Sequence, residues 1–227
     1  MLLVRARKAF HNFSIDVDFT LPTKGITVLF GKSGAGKTTL LNMIAGLVRP
    51  DEGLISCGSV RFFDSRSNGV DLPPEQRGLG YVFQQHRLFS HLTVEGNLLF
   101  AARYGARPVE TARLSKVVAV LGIGHLLERR TTTLSGGEGQ RVAIGRALLA
   151  ADSLLLMDEP LSSLDSERKE EILEYISSVA RSFDTPILYV THAQDEALRL
   201  ADRVLPVEAG GAGTLESASA FFASLRR

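Results

Sequence analysis

The hydrophobic positions of this 227-residue chain fall into two rhythms. Short unbroken apolar runs bounded by turn residues mark strands buried on both faces. They lie at 25–30, 80–83, 153–157 and 186–190. Between them come helical spacings. Residues 38–47 suit a helix directly after the first run, 114–121 another, and 166–182 bring Ile172, Leu173, Ile176, Val179 and Ala180 to one face. Residues 54–63 read as strand, with Ser67-Asn68-Gly69 as a hairpin tip. Residues from about 85 to 134 contain no buried strand run and are read as an inserted helical subdomain. Strands alternating with helices predict an α/β fold whose mainly parallel core sheet is covered on both faces.

Composition narrows this picture without changing it. Hydrophobic residues make up 44% and charged residues 22%, ordinary values for a globular domain. The formal charge of +1 and the absence of a long basic run give no reason to expect nucleic acid as partner. One cysteine, Cys57, rules out an intramolecular disulfide and fits a reducing compartment. The most apolar stretch, 142–157, is broken by Arg146 and Asp152 and is too short to span a bilayer. A membrane role would therefore come through a partner.

The chemistry begins after the first strand. Gly31, Lys32, Ser33, Gly34, Ala35, Gly36, Lys37 and Thr38, followed by Thr39, match the phosphate-loop pattern G-x-x-x-x-G-K-[ST] between a strand and a helix. Glycines let successive backbone N–H groups converge on phosphate oxygens, and the helix N-terminus adds partial positive charge. Lys37 can reach the β- and γ-phosphates, and the Thr38 hydroxyl can ligate Mg²⁺. Met157-Asp158-Glu159 supplies complementary acids at a strand end. Asp158 can hold Mg²⁺ directly or through water, and Glu159 is placed to polarise an attacking water; either acid could instead cap the next helix.

Leu134-Ser135-Gly136-Gly137-Glu138-Gly139-Gln140-Arg141 offers a second anion-binding helix start, with Ser135 as N-cap or ligand. A second cradle makes sense if it serves the nucleotide held by another copy of the chain. With this stretch in view, the sequence resembles the ABC-transporter ATPases from end to end. The motifs run in that family's order: the phosphate loop, Gln84 after Tyr81-Val82-Phe83, the signature at 134–141, Asp158-Glu159, Ser162-Ser163-Leu164-Asp165, and Thr191-His192. Glu138 stands where many members have Gln, and Ser163 where alanine is common.

The resemblance implies a P-loop NTPase fold with an N-terminal antiparallel β subdomain. The nucleotide-binding core would comprise 1–84 and 135–227, and the helical subdomain about 85–134, within one ABC ATPase domain. It further implies binding of ATP and Mg²⁺, with Ser135, Gly136, Gly137 and Glu138 reaching the nucleotide of a second copy. Lys37, Gln84, Glu159 and His192 become the catalytic group, Gln84 touching Mg²⁺ or the attacking water and His192 the γ-phosphate. Thr38, Gln84 and Asp158 become the metal group, and Asp165 lies across the dimer interface. Phe10 is the candidate for stacking on adenine, with His11 and Phe13 as alternatives. The implied partners are a second copy and integral membrane permease subunits, on the cytoplasmic face of the inner membrane.

Among such ATPases, the stretches 78–84, 87–94 and 141–149 most resemble those of molybdate importers. Sulfate, tungstate, iron or another small solute are the alternatives. Many of those importers carry a β-rich regulatory domain after the ATPase, and a 227-residue chain is expected to be either a shorter form or a truncated one. A chromosome-type ATPase or a non-catalytic sensor are the competing classes. The first is disfavoured by the lack of sustained heptads, the second by the presence of Glu159 and His192.

Overall fold

A computed structural model describes residues 1–66, 69–100 and 109–225. It divides into two compact units, Met1–Arg77 with Pro186–Arg227, and Gly78–Thr185.

The first unit carries strands β1 (Leu2–Ala9), β2 (Ser14–Leu21), β3 (Ile26–Phe30), β4 (Glu52–Cys57), β5 (Val60–Asp64), β6 (Val70–Asp71), β9 (Ile187–Thr191), β10 (Arg203–Glu208), β11 (Gly211–Ala212) and β12 (Glu216–Ser217). Its helices are α1 (Lys37–Ala45), α6 (Gln194–Leu200) and α7 (Ala218–Ser224). The apolar runs become the parallel part: β3 pairs with β9 on one side and β10 on the other. All five residues of β9 are buried, as expected of a strand covered on both faces.

The N-terminal strands follow the other rule. In β2 every second residue (Ile15, Val17, Phe19, Leu21) is buried and the rest are exposed, the signature of a half-buried antiparallel strand. β2 pairs antiparallel with β1, which pairs antiparallel with β4, then β5 and β6. This is the expected antiparallel region. The strand-like stretch 54–63 proves to be two strands, because Gly58 at φ 59° turns the chain between β4 and β5. β5 and β6 pair antiparallel, but Ser67 and Asn68, two of the three residues assigned to the hairpin tip, lie outside the described residues.

The second unit holds β7 (Leu79–Val82) parallel to β8 (Leu154–Asp158), with α2 (Val94–Leu98), α3 (Thr111–Val120), α4 (Gly136–Ala150) and α5 (Ser166–Ser182). Helix α5 covers the predicted stretch and buries Ile172, Leu173, Ile176 and Val179. Helix α4 packs so closely on β7 that a Cβ at Gly80 would meet the Ala147 carbonyl oxygen at 2.1 Å. Among the described residues no helix is long and apolar enough to cross a membrane.

Candidate functional site

The phosphate loop lies in the first unit, between β3 and α1. Gly34 and Gly36 have φ of 80° and 101°, a region closed to most side chains, so the loop's path depends on them. Ala35 donates its N–H to the Lys32 carbonyl (3.2 Å), closing the turn. The Lys37 ammonium is 4% exposed and donates to the carbonyls of Gly31 and Lys32 at 2.8 and 2.9 Å. The loop thus curls around its own lysine at the start of α1. Thr38 at the first turn is exposed, and Thr39 is half-buried.

Two neighbours set the loop's surroundings. The Phe13 ring backs the loop, since a Cβ on Gly36 would meet its Cζ at 2.8 Å. Phe10, 43% exposed, stands near Phe13 with ring centroids 6.3 Å apart and planes 28° from parallel. Of the three residues proposed for adenine stacking, Phe13 is therefore engaged in packing, while Phe10 is more exposed and has the Lys8 ammonium over its ring, 6.0 Å from the centroid.

His192, also in this unit, is exposed just beyond β9. What holds its turn was not foreseen from sequence. Glu196 on α6, 3% exposed, accepts from the hydroxyls of Tyr189 and Thr191, both at 2.8 Å. The Thr191 hydroxyl oxygen in turn accepts from the Ala193 N–H at 3.0 Å. A buried carboxylate thereby fixes the backbone on either side of His192.

The second unit carries the remaining candidates. Asp158 ends β8 at 6% exposure, and Glu159 is half-buried. The Tyr81 hydroxyl on β7 bonds the Asp158 carboxylate, and burial together with that negative charge pushes the phenol's pKa well up. Tyr81 is a further residue missed by sequence reasoning. Its only signal was its place on the strand before Gln84, and nothing local links it to Asp158. Glu159 has φ 43°, an unusual value for a residue with a long side chain. Its carbonyl accepts from the Ser162 N–H (3.2 Å) and hydroxyl (3.0 Å), which holds the strained turn in place.

Gln84 is exposed beyond β7, and the chain after it is latched onto α4. The Arg146 guanidinium donates to the carbonyls of Arg87 (2.8 Å) and His86 (3.3 Å) and lies over the Phe89 ring. Asp165 N-caps α5, accepting from the Arg168 N–H at 3.0 Å.

At the head of α4, Ser135 and Glu138 form a full capping box. The Ser135 hydroxyl accepts from the Glu138 N–H at 3.3 Å, and the Glu138 carboxylate accepts from the Ser135 N–H at 2.7 Å. That backbone bond holds the Glu138 carboxyl below its ordinary range. Gly136 and Gly137 then open the helix with no need of glycine inside the chain. A Cβ at either would meet nothing nearer than 3.4 Å, and neither has positive φ. Neither glycine is demanded by a close contact or by left-handed backbone.

These features can be set beside known proteins. The family described as ABC transporter matches residues 15–162. The chain belongs to the ABC transporter family. It is 54% identical over 220 residues, 96% of its length, to the molybdenum import ATP-binding protein ModC of Paramagnetospirillum magneticum, covering 60% of that protein. With ModC of Photobacterium profundum the identity is 50% over 92% of this chain and 57% of the relative. The chain thus spans about three-fifths of the length of the curated relatives it matches. Among solved structures, cbiO1 from Clostridium perfringens, part of an ABC transporter complex, superposes with TM-score 0.80 at 24% identity over 99% of this chain and 91% of that one. A dimeric bacterial ABC transporter cassette gives 0.77 at 25% identity over 96% and 99%. The fold is that of the ABC cassette, a P-loop NTPase.

Proposed function

We propose that this chain is the ATP-hydrolysing portion of an ABC importer, working as a homodimer that closes around two ATP molecules and moves molybdate through membrane permease subunits. The phosphate loop carries the reading: a positive-φ glycine turn wrapped around a buried Lys37 at a helix N-terminus. In each copy the loop N–H groups and Lys37 bind the β- and γ-phosphates. Phe10 supplies an aromatic face for adenine. Thr38 in the first unit, and Gln84 and Asp158 in the second, are oxygen donors of the kind a hard cation takes, and Mg²⁺ held by such donors would offset the negative charge of the phosphates. Glu159 orients and polarises the attacking water, and His192 contacts the γ-phosphate.

The signature of one copy, Ser135 to Glu138, addresses the ATP of the other, with Asp165 at the same interface. The unexplained glycines at 136 and 137 support this assignment, because a phosphate approaching from a second copy would require bare backbone there. A two-fold arrangement makes the contact self-complementary. Closure follows ATP binding because only the closed pair offers both sets of phosphate contacts, and hydrolysis removes them. Molybdate as cargo rests on kinship with ModC. The chain would lie against the cytoplasmic face of the inner membrane through its permease.

The test is ATP hydrolysis by the purified chain beside Lys37→Ala. Turnover should fall by roughly a hundredfold or more, the scale of losing one preorganised charge from a phosphoryl-transfer site. Equal turnover in both proteins would refute the reading. Molybdate-dependent stimulation in vesicles carrying the permease and its binding protein tests the cargo, and stimulation by sulfate alone would overturn that part.

A further inference from the structure

The capping box at the head of α4 contains more charge than its geometry needs. Glu138 satisfies the Ser135 N–H through one carboxylate oxygen at 2.7 Å, a bond that a glutamine amide oxygen would also make, though more weakly. The carboxylate adds a full negative charge at the end of a helix whose dipole favours an anion. Its side chain is 19% exposed, so this charge is only partly screened by water. Two cations face it. Arg129 lies 3.4 Å from the carboxylate while also donating to the Thr133 carbonyl at 2.8 Å. Arg141, one turn along α4, is committed to Glu171 at 3.3 Å and to the Tyr175 hydroxyl at 2.8 Å. Arg129 therefore offsets Glu138 most directly, through a long and half-exposed contact, while Arg141 adds a weaker attraction from a guanidinium already shared with Glu171.

From this geometry we infer that Glu138 acts as an electrostatic brake on closure. It occupies, with its own negative charge, the helix end that must accept the partner's ATP, and so raises the nucleotide concentration at which two copies close. Arg129 sets the strength of the brake by partial neutralisation. The inference rests on the reading of the signature as a phosphate contact made across the dimer. The backbone bond that depresses the Glu138 pKa keeps the charge in place at neutral pH. A group that served only as a cap would have the opposite consequence, because weakening a cap loosens the first turn of α4 and weakens whatever binds there.

The experiment compares ATP-driven dimerisation of Glu159→Gln with that of Glu159→Gln carrying Glu138→Gln, and with Glu159→Gln carrying Arg129→Gln, by analytical ultracentrifugation across an ATP titration. Thermal melts confirm that each protein is folded. Removing the carboxylate charge should lower the half-saturating ATP roughly five- to tenfold, the scale of one like-charge contact at about 4 Å screened as in bulk water. Arg129→Gln should raise it. Higher salt should narrow the difference between Glu138→Gln and its parent. An ATP-driven parent dimer whose ATP requirement is unchanged or raised by Glu138→Gln would overturn the brake and leave the signature reading standing. A folded, ATP-binding parent that forms no dimer would refute the signature reading, and the brake with it.

Discussion

Glu159 occupies left-handed backbone at φ 43°, where a long side chain loses roughly 1 kcal/mol. Its turn is retained by the two Ser162 bonds to its carbonyl, so the strain is held rather than relieved. Replacing it with asparagine, which tolerates this region, should stabilise the protein by about 0.5 kcal/mol while abolishing turnover. A thermal melt beside an ATPase assay checks both halves, and a loss of stability would show that the side chain is needed for folding. Glu138 makes a pH prediction. Its folded pKa lies below the unfolded value, so its contribution is present above about pH 4.5 and is lost as pH falls through the folded pKa. Glu138→Gln should flatten that acid limb of a stability–pH curve. Residues whose chemistry follows from a local motif, such as Lys37, Asp158 and Ser135, could be read from the chain alone. Tyr81 and Glu196 could not, because their importance lies in partners that only tertiary pairing supplies.

Two elements that carry candidate groups are fixed by buried charge at their ends. Arg77, 3% exposed, donates to the Met43 and Ile44 carbonyls at 2.9 and 2.8 Å, closing the C-terminus of α1, and to the Leu72 carbonyl at 2.8 Å. Arg77→Met should cost about 2–3 kcal/mol by leaving those carbonyls unpaired, and Arg77→Lys should recover only part, since an ammonium lacks the planar fork. Denaturant titration reads both. Glu196→Ala should cost a similar 2–3 kcal/mol through the stranded hydroxyls of Tyr189 and Thr191. It should also reduce turnover through the displaced His192 turn. At this scale the sequence patterns differed in strength. Continuous apolar runs announced β3, β8 and β9. The alternating β2, with its equally regular period of two, contains no continuous apolar run to announce it. The stretch 54–63 reads as one strand because apolar residues lie on both sides of the Gly58 turn.

At the scale of the whole molecule, the proposed function makes one chain half of a machine. A phosphate loop, strand-end acids and a signature helix all occur in a single cassette, and membership of the ABC transporter family covers residues 15–162. Their order was legible in the sequence. The room that a Cβ would find at Gly136 and Gly137 was not, because no motif records it. The most direct measurement is the mass of Glu159→Gln in solution with and without Mg²⁺-ATP, followed by light scattering. The account predicts a monomer that becomes a dimer with two bound ATP, and Ser135→Arg on the same background should bind ATP and stay monomeric. A Glu159→Gln protein that binds ATP fully and remains monomeric would contradict it.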